Sequence, residues 1–473
     1  MKIQEAVTLP LFSNVCEVAD QINQETYVVG GFVRDYLLGR GRKKDIDFVT
    51  VGNGINLAKE VAKSLGNTSQ VSVFKRFGTA MFRYQDIELE FVGARKESYS
   101  EDSRKPHVED GTIEDDQKRR DFTINTLAIS MNKATFGELI DPFNGIEDLK
   151  NGIIRTPLEP NVTYSDDPLR MMRAIRFAAQ LNFVIEEKSF QAIIDNAKRI
   201  EIVSFERVMD EFQKIMMTDK PSFGLNLLEK AGLLQYILPE LVALKGIEEV
   251  EGQKHKDNFY HTLEVVDNIS VHTDNVWLRW AALLHDIGKA VTKRFDKKVG
   301  WTFHSHEFVG SKMVVKLFRR LKLPLGPQMK YVQKLVMMSS RPIAVVDDDA
   351  TDSALRRLLF DAGEDFEDLI TLCKADITTK NERKQKRFKQ NFELVEQKIK
   401  DVEERDRVRN FQPPISGEQI MEMFGLAPCK EVGIIKNAIK EAILEGEVEN
   451  SYESAYNFVV EFGKSLNLEL KNS

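Results

Sequence analysis

At 473 residues, with 42% apolar and 30% charged side chains, the chain is too long for one ordinary core and too evenly mixed for a disordered or fibrous protein, so about two to four domains are expected. A formal net charge of −7 excludes a uniformly basic nucleic-acid binder, and any RNA contact must come from a local patch of Lys and Arg. Cys16, Cys373 and Cys429 stand far apart without a C-x-x-C spacing, no run approaches the ~20 apolar residues of a membrane helix, and MKIQEAVTLPLF lacks the apolar centre of a signal peptide. Neither a disulfide framework nor a membrane association is expected, and the cytoplasm is the expected location.

From Tyr27 to about Asp141 the apolar runs are short and rich in β-branched or aromatic residues (YVVGG, DIDFVTV, VSVF, TAMFRY, IELEFVG), which reads as a mixed α/β domain. YVVGGFVRDYLLG is a strand, a Gly-Gly turn and a helix start, where backbone N–H groups and Arg34 can face a phosphate. For Gly-Gly alone, a tight turn is explanation enough. In KKDIDFVTV, Asp45 and Asp47 sit two apart on a strand and so project from one face, an arrangement that needs a cation. IELEFVG repeats the spacing with Glu88 and Glu90, and Glu90 is taken as the third carboxylate of a two-metal site for phosphoryl transfer. A solvated strand face would account for an isolated Asp-x-Asp. The adjacent Gly-Gly-Arg and the basic run Arg40, Arg42, Lys43, Lys44 weigh against it here. Lys96 to Gln117 reads as one long polar loop.

Beyond about residue 165 the period becomes helical, as in DPLRMMRAIRFAAQL, FERVMDEFQKIM, WLRWAALLHDIGKA and SKMVVKLFRRL, and the remainder should be nearly all helix. DDPLRMMRAIR has a readable helix start, with Asp167 able to cap and Pro168 at the first position. Asp167, Arg170, Arg173 and Arg176 form a slanting stripe in which Asp167 and Arg170 are neighbours, and that pair offers the acceptors and donors a base edge needs. Among only seven histidines, His261, His285, His304 and His306 fall in segments that also hold Asp286 and Asp376. A lone His is more often a satisfied core residue, but a His-Asp dipeptide on an apolar helix is costly without a partner. Lys380 to Arg409 is a highly charged helical stretch ended by FQPPISG, which suggests a boundary near Pro413. Its Lys384, Arg387, Lys389, Lys398 and Lys400 suit RNA phosphates, or simply a solvated face.

The motifs GGFVRD, DIDFV, KRRDFTINTLAI and DDPLRMMRAIRFAAQL, in this order, resemble the bacterial and eukaryotic class of tRNA CCA-adding nucleotidyltransferases of the polymerase-β-like superfamily. The resemblance implies an α/β head at 1–150, a helical neck at 151–225, an HD-type helical body at 226–380 and a helical tail at 381–473 that is a tRNA-binding candidate. It also implies addition of C, C and A to the 3′ end of tRNA from CTP and ATP, with Mg2+ in the head, no template and release of pyrophosphate. By the same resemblance Gly31, Arg34 and Arg120 contact the nucleotide, Asp45 and Asp47 hold metal, and Asp167 and Arg170 read the base, with Arg173 and Arg176 in the same nucleotide-binding stripe. Asp166 stands where the family often has Glu. Ser204-Phe-Glu-Arg207 followed by Glu211 resembles the neck helix, where Glu206 and Arg207 are expected to brace the base-reading helix rather than touch substrate. The polar loop resembles the flexible loop of complete CCA-adding members, which CC-only members lack.

The order H…HD…D resembles the HD phosphohydrolase superfamily, which implies His261, His285, Asp286 and Asp376 as metal ligands, with His304 and His306 as candidates for a second metal or for phosphate contacts. Imidazole plus carboxylate suits Mg2+, Mn2+, Ni2+ or Zn2+ and leaves the identity open. Some such enzymes act on 2′-phosphates and 2′,3′-cyclic phosphates. Rival readings are a bacterial poly(A) polymerase, disfavoured by the HD body and the absence of a long basic C-terminal extension, and an HD phosphohydrolase or RNA-binding protein with a nucleotide-binding head. No protein partner is indicated.

Overall fold

The computed structural model describes residues 3–41, 44–66, 71–75, 78–100, 103–347, 351–379, 381–406 and 413–471. The chain forms two compact units, 1–239 and 240–473. Among the described residues no helix is long and apolar enough to cross a membrane.

In the first unit, α1 (Pro10–Gln21) precedes β1 (Glu25–Val29), α2 (Gly31–Leu37), β2 (Asp45–Val51), α3 (Gly54–Ser64), β3 (Ser72–Phe74), β4 (Thr79–Tyr84) and β5 (Ile87–Gly93). With β8 (Ala128–Ser130) and β9 (Leu139–Ile140), these strands make one sheet of order β3-β4-β5-β2-β1-β8-β9, antiparallel throughout except where β5 lies parallel to β2. Strand period two sorts the side chains. Ile46, Phe48, Leu89 and Phe91 are buried on one face, where Phe48 stacks on Phe91 at 4.8 Å and Phe82 on Phe91 at 5.8 Å. Asp45, Asp47, Glu88 and Glu90 alternate with them and take the other face. The head is therefore a mixed sheet with helices and one acidic face.

Among the described residues, the stretch from Lys96 to Gln117 forms regular structure rather than one long loop. β6 (Arg95–Ser100) pairs antiparallel with β7 (Ser103–Asp110), and α4 (Ile113–Lys118) follows behind a Thr112–Asp115 capping box. Hydropathy gave no sign of this ribbon because its residues are polar and it forms a two-stranded sheet separate from the main one. After the sheet come α5 (Gly145–Asn151), α6 (Pro160–Asp166), α7 (Leu169–Leu181), α8 (Glu187–Asn196), α9 (Phe205–Met216) and α10 (Pro221–Lys230), with α7 packed on α9 and α10. Helix α7 begins one residue later than expected, so Pro168 is its N-cap and Asp167 accepts from the Leu169 amide at 3.2 Å.

Among the described residues the second unit is helical apart from two small hairpins, Glu249–Val250 with Gln253–Lys254 and Arg294–Asp296 with Gly300–Thr302. The apolar helix Val276–Leu284 sits at its centre with Trp280 fully buried, and the helices Asn258–Ser270 and Phe366–Asp376 pack on it and on each other. The charged helix Glu382–Asp406 carries a buried stripe of Phe392, Val395, Ile399 and Val402, which packs toward Arg341–Asp347 and Asp352–Ala362. Beyond Pro413 the chain folds back into the same unit, and Arg357 bonds Glu441 (2.7 Å) and Glu445 (2.5 Å) of the helix Lys430–Glu445. Of the basic residues singled out above, Arg42 and Lys43 and the side chains of Lys384 and Lys389 lie outside the described residues.

Candidate active sites

Strand register brings the acidic face together. Asp45 is paired with Glu88 and Asp47 with Glu90 across the parallel β2–β5 ladder. Burial pushes the Asp47 carboxyl upward, Arg120 opposes this and Asp45 adds to it. Burial likewise raises Glu90, with Asp47 the next cause. Mutual repulsion of this kind is relieved by a divalent cation, and the oxygen-only donor set suits a hard one.

Above this face, a cleft of about 720 Å3 is lined by Gly31, Arg34, Asp47, Arg120, Asp167, Arg170 and Arg173 among the residues expected from sequence. Gly30 makes the close approach possible. Its φ of +70° lies in the left-handed region, and a Cβ there would meet Arg120 Nη1 at 3.2 Å. Buried Asp116 receives both Arg119 and Arg120, the latter with Nε at 3.0 Å and Nη2 at 2.9 Å. Burial alone would raise the Asp116 carboxyl, but Arg120 and Arg119 outweigh it and hold it below the usual range. Arg34, only 5% exposed, is held by Asp35 at 2.8 and 3.0 Å and by Asn125 at 2.7 Å.

The base-reading candidates are positioned as firmly. Arg170 donates to the carbonyls of Arg119 (2.6 Å) and Thr163 (3.4 Å). Arg173 bonds Asp121 with Nε at 2.7 Å and Nη2 at 2.6 Å. Burial would raise the Asp121 carboxyl, but Arg173 and the amide of Asn125 hold it down at about 2. Arg176 differs from expectation. It is absent from the cleft wall, pairs instead with the buried Glu211 at 2.5 Å, and lies 3.9 Å over the Phe177 ring. The same ring lies 4.9 Å from the Arg34 guanidinium and 5.4 Å from that of Arg173.

Glu206 and Arg207, expected to brace α7, line the cleft, whereas Glu211 does the bracing through Arg176. The reason is helical phase. Glu206, Arg207, Asp210, Glu211 and Lys214 recur three and four apart, so α9 turns one polar face to the cleft. That periodicity was readable in the sequence. Arg119, Asp121 and Asn125 also line the cleft and were not singled out, although they flank Arg120 in KRRDFTIN.

In the second unit, three helices deliver the HD residues to one point. Ligand atoms of His261, His285 and Asp286 lie within 4.8 Å of one another, and Asp376 Oδ1 is 2.8 Å from His261 Nε2 and 3.4 Å from His285 Nε2. His285 Nδ1 lies 2.8 Å from the Ala282 carbonyl, while its buried Nε2 faces Asp286 Oδ2 at 3.3 Å and Asp376 Oδ1 at 3.4 Å without a well-aligned hydrogen bond, and is the ligand nitrogen when the ring is neutral. Burial would push the imidazole down, but Asp286 and Asp376 outweigh it and hold it up at about 10. A field that strong at a buried nitrogen fits a divalent cation, and mixed imidazole and carboxylate donors suit a transition metal as well as Mg2+. His306 joins at the edge, with Nε2 3.4 Å from Asp286 Oδ1. Gly288 allows it, because a Cβ there would lie 2.1 Å from the His306 carbonyl. His304 is exposed and takes no part in the cluster.

Residues 26–155 match the family described as Poly A polymerase head domain, residues 182–244 the probable RNA and SrmB-binding site of polymerase A, and residues 258–438 the HD domain. An A-adding tRNA nucleotidyltransferase of Deinococcus radiodurans is 33% identical over 343 residues, spanning 69% of this chain and 74% of that protein. A CCA-adding enzyme of Lactobacillus helveticus is 40% identical over 203 residues, 42% of this chain and 48% of that one. The structure of the Bacillus stearothermophilus CCA-adding enzyme in complex with CTP is similar in fold, with a TM-score of 0.68 at 23% identity, covering 97% of this chain and 99% of that one.

Proposed function

The chain belongs to the tRNA nucleotidyltransferases, and from that premise we propose that it adds C, C and A to the 3′ end of tRNA from CTP and ATP, without a template and with release of pyrophosphate. One observation carries the reading: Asp47 of the paired acidic face, Gly31 and Arg34 of the turn before α2, and Asp167 and Arg170 at the start of α7 line one cleft, with Asp45 and Glu90 beside Asp47 on the sheet but outside the cleft wall. In this reading Asp45 and Asp47, with Glu90 beside them, hold Mg2+. A divalent ion there supplies the positive charge that offsets charge developing on a phosphoryl group. Arg34 and Arg120 orient the triphosphate, fixed by Asp35 and Asp116 so that little is lost on ordering them. Asp167 and Arg170 offer the base an acceptor and a set of donors, doing in protein what a template strand does in nucleic acid. Arg173 is a further wall of the nucleotide site, and Arg176 acts through Phe177 and Glu211 rather than by contact. We assign the head to 1–150, the neck to 151–225, the HD body to 226–380 and the tail to 381–473, and place the activity in the cytoplasm.

The test is purified protein with Mg2+, labelled CTP or ATP, and two tRNA substrates, one ending at the discriminator base and one at CC. Extension of both to CCA is the expected result. A second reading, addition of the terminal A alone, is favoured by the likeness to the A-adding relative over the longer span, and it predicts extension only of tRNA ending in CC. Asp47→Ala is expected to abolish incorporation while tRNA binding persists; near-normal incorporation by that variant would refute the assignment of the acidic face.

We further propose that the second unit holds a metal-dependent phosphohydrolase, with His261, His285, Asp286 and Asp376 as ligands and His306 at the rim. A divalent ion in that nest supplies a Lewis acid for phosphoester hydrolysis. Its proposed substrates are 2′-phosphates and 2′,3′-cyclic phosphates. Metal-dependent phosphate release from 2′-phosphates and ring opening of 2′,3′-cyclic phosphates to the monoester, both lost in His285→Ala, test it.

A further inference from the structure

Three guanidinium groups of the first unit gather on one aromatic ring. Phe177, on α7 and only 5% exposed, has Arg176 at 3.9 Å, Arg34 at 4.9 Å and Arg173 at 5.4 Å from its ring centre, and Phe122 meets it edge-on at 5.8 Å. Like charges held this close repel. Burial pushes the Arg176 guanidinium below its ordinary value, Glu211 opposes this and Arg173 adds to it. Each cation has its own carboxylate, Asp35 for Arg34, Asp121 for Arg173 and Glu211 for Arg176, whereas the ring is a partner common to all three. The face of such a ring carries negative charge density, which attracts a cation more strongly where water is excluded. A second link runs beside the ring. Asn125 Oδ1 accepts from Arg34 Nη1 at 2.7 Å, Asn125 Nδ2 donates to Asp121 Oδ1 at 2.9 Å, and Asp121 Oδ2 accepts from Arg173 Nε at 2.7 Å. Both links join opposite ends of the cleft, since Arg34 belongs to the phosphate-facing turn and Arg173 follows the base-reading Arg170 by three residues on α7.

We infer that Phe177 is a positioning residue that couples the triphosphate grip of Arg34 to the base wall at Arg173, so that nucleotide affinity and base choice both depend on one buried ring; this rests on reading the cleft as the nucleotide site. Phe177 is not in the cleft wall, so it acts through the side chains seated on it. An aliphatic side chain of similar volume would fill the same space, yet it would leave three cations gathered around a surface with no charge to offer them. Each would then turn toward its own carboxylate, and the two ends of the cleft would lose the support they share. The loss falls on binding rather than on the transfer step, because the carboxylates of that step lie on β2 and β5.

The full-length protein is made with a trifluorinated phenylalanine in place of Phe177, which keeps the shape of the ring and cancels most of the negative charge on its face. Addition of ATP and of GTP to a tRNA ending in CC is then measured with Mg2+. The KM for ATP should rise about tenfold and the preference for ATP over GTP should fall by a similar factor, while kcat and the KM for tRNA stay within about twofold and Tm is unchanged. Phe177→Tyr, which retains the charged face, should behave as wild type, and Phe177→Leu as the fluorinated protein. Should Phe177→Leu lower Tm, the fluorinated protein and Phe177→Tyr carry the test. An unchanged KM and an unchanged preference in the fluorinated protein overturn the inference and leave Phe177 to packing, with the nucleotidyltransferase reading intact. A raised KM with the preference unchanged overturns it as well, since the ring then serves the phosphate end alone. If wild-type protein adds no ATP, the reading of the cleft fails, and the inference with it.

Discussion

Single side chains in the head cleft are mostly anchored before any substrate arrives, and their partners predict how variants should fail. Asp167 has two roles in view. Its carboxylate accepts from the Leu169 amide just ahead of α7, and loss of that bond alone would cost about 1 kcal/mol of stability in Asp167→Ala without changing nucleotide choice. Base reading predicts instead a steep loss of CTP and ATP use, or errors with UTP and GTP, in both Asp167→Ala and Arg170→Ala, because an unpaired buried donor or acceptor discriminates by orders of magnitude. Unchanged relative use of all four nucleotides by both variants would leave Asp167 a structural role only. Asp121 allows a pH test. Its folded carboxyl sits at about 2 against about 3.9 in an unfolded chain, so its contribution, about 2 kcal/mol, is present above pH ~4 and lost as pH falls toward 2. Urea unfolding of wild type and Asp121→Asn should therefore differ most near neutrality, by about half as much near pH 3, and converge only below pH ~2; a difference that grows on acidification contradicts the pairing with Arg173.

The elements differ in how much of them the sequence discloses. Asp45, Asp47 and Glu90 were legible because strand period two puts alternate residues on one face, and the parallel register then adds what no local pattern contains, the pairing of Asp47 with Glu90. The HD residues were legible as types in an order, but the closeness of Asp376 to His261 depends on helices more than a hundred residues apart in sequence. Neither the Asp121–Arg173 pair nor the seating of Arg34 and Arg176 on Phe177 has a local signature, since each joins segments separated by other elements or chosen by packing. The β6–β7 ribbon was missed for the opposite reason: its pairing is local, yet its sequence shows no alternation of apolar and polar residues. Its position in sequence, directly after β5 and before the Asp116–Arg120 anchor, leads to a prediction at this scale. Replacing residues 97–107 by a short turn should leave C addition measurable and arrest products at CC, resolved on a sequencing gel. Full-length CCA products from the shortened chain would separate the ribbon from A addition.

At the scale of the molecule, each proposed centre is built wholly from one compact unit: the nucleotide cleft from residues 30 to 214, and the HD cluster from residues 261 to 376 with His306 at its edge. No side chain serves both. The buried His285 Nε2 and the Asp47–Glu90 repulsion are separate electrostatic problems, each of a kind that a divalent cation would relieve. The two activities should then be separable by single substitutions in both directions. His285→Ala should remove metal-dependent opening of 2′,3′-cyclic nucleotides to the monophosphate and keep CTP and ATP incorporation within about twofold of wild type, while Asp47→Ala should do the reverse. Circular dichroism and Tm on each variant exclude unfolding as the cause, and this matters for His285, whose helix junction is buried on all sides. A His285→Ala protein that keeps its fold but loses nucleotide addition would mean that the HD centre supports the head beyond its own chemistry, since neither the ligand set nor the cleft shares an atom through which simple removal of a metal ligand could act.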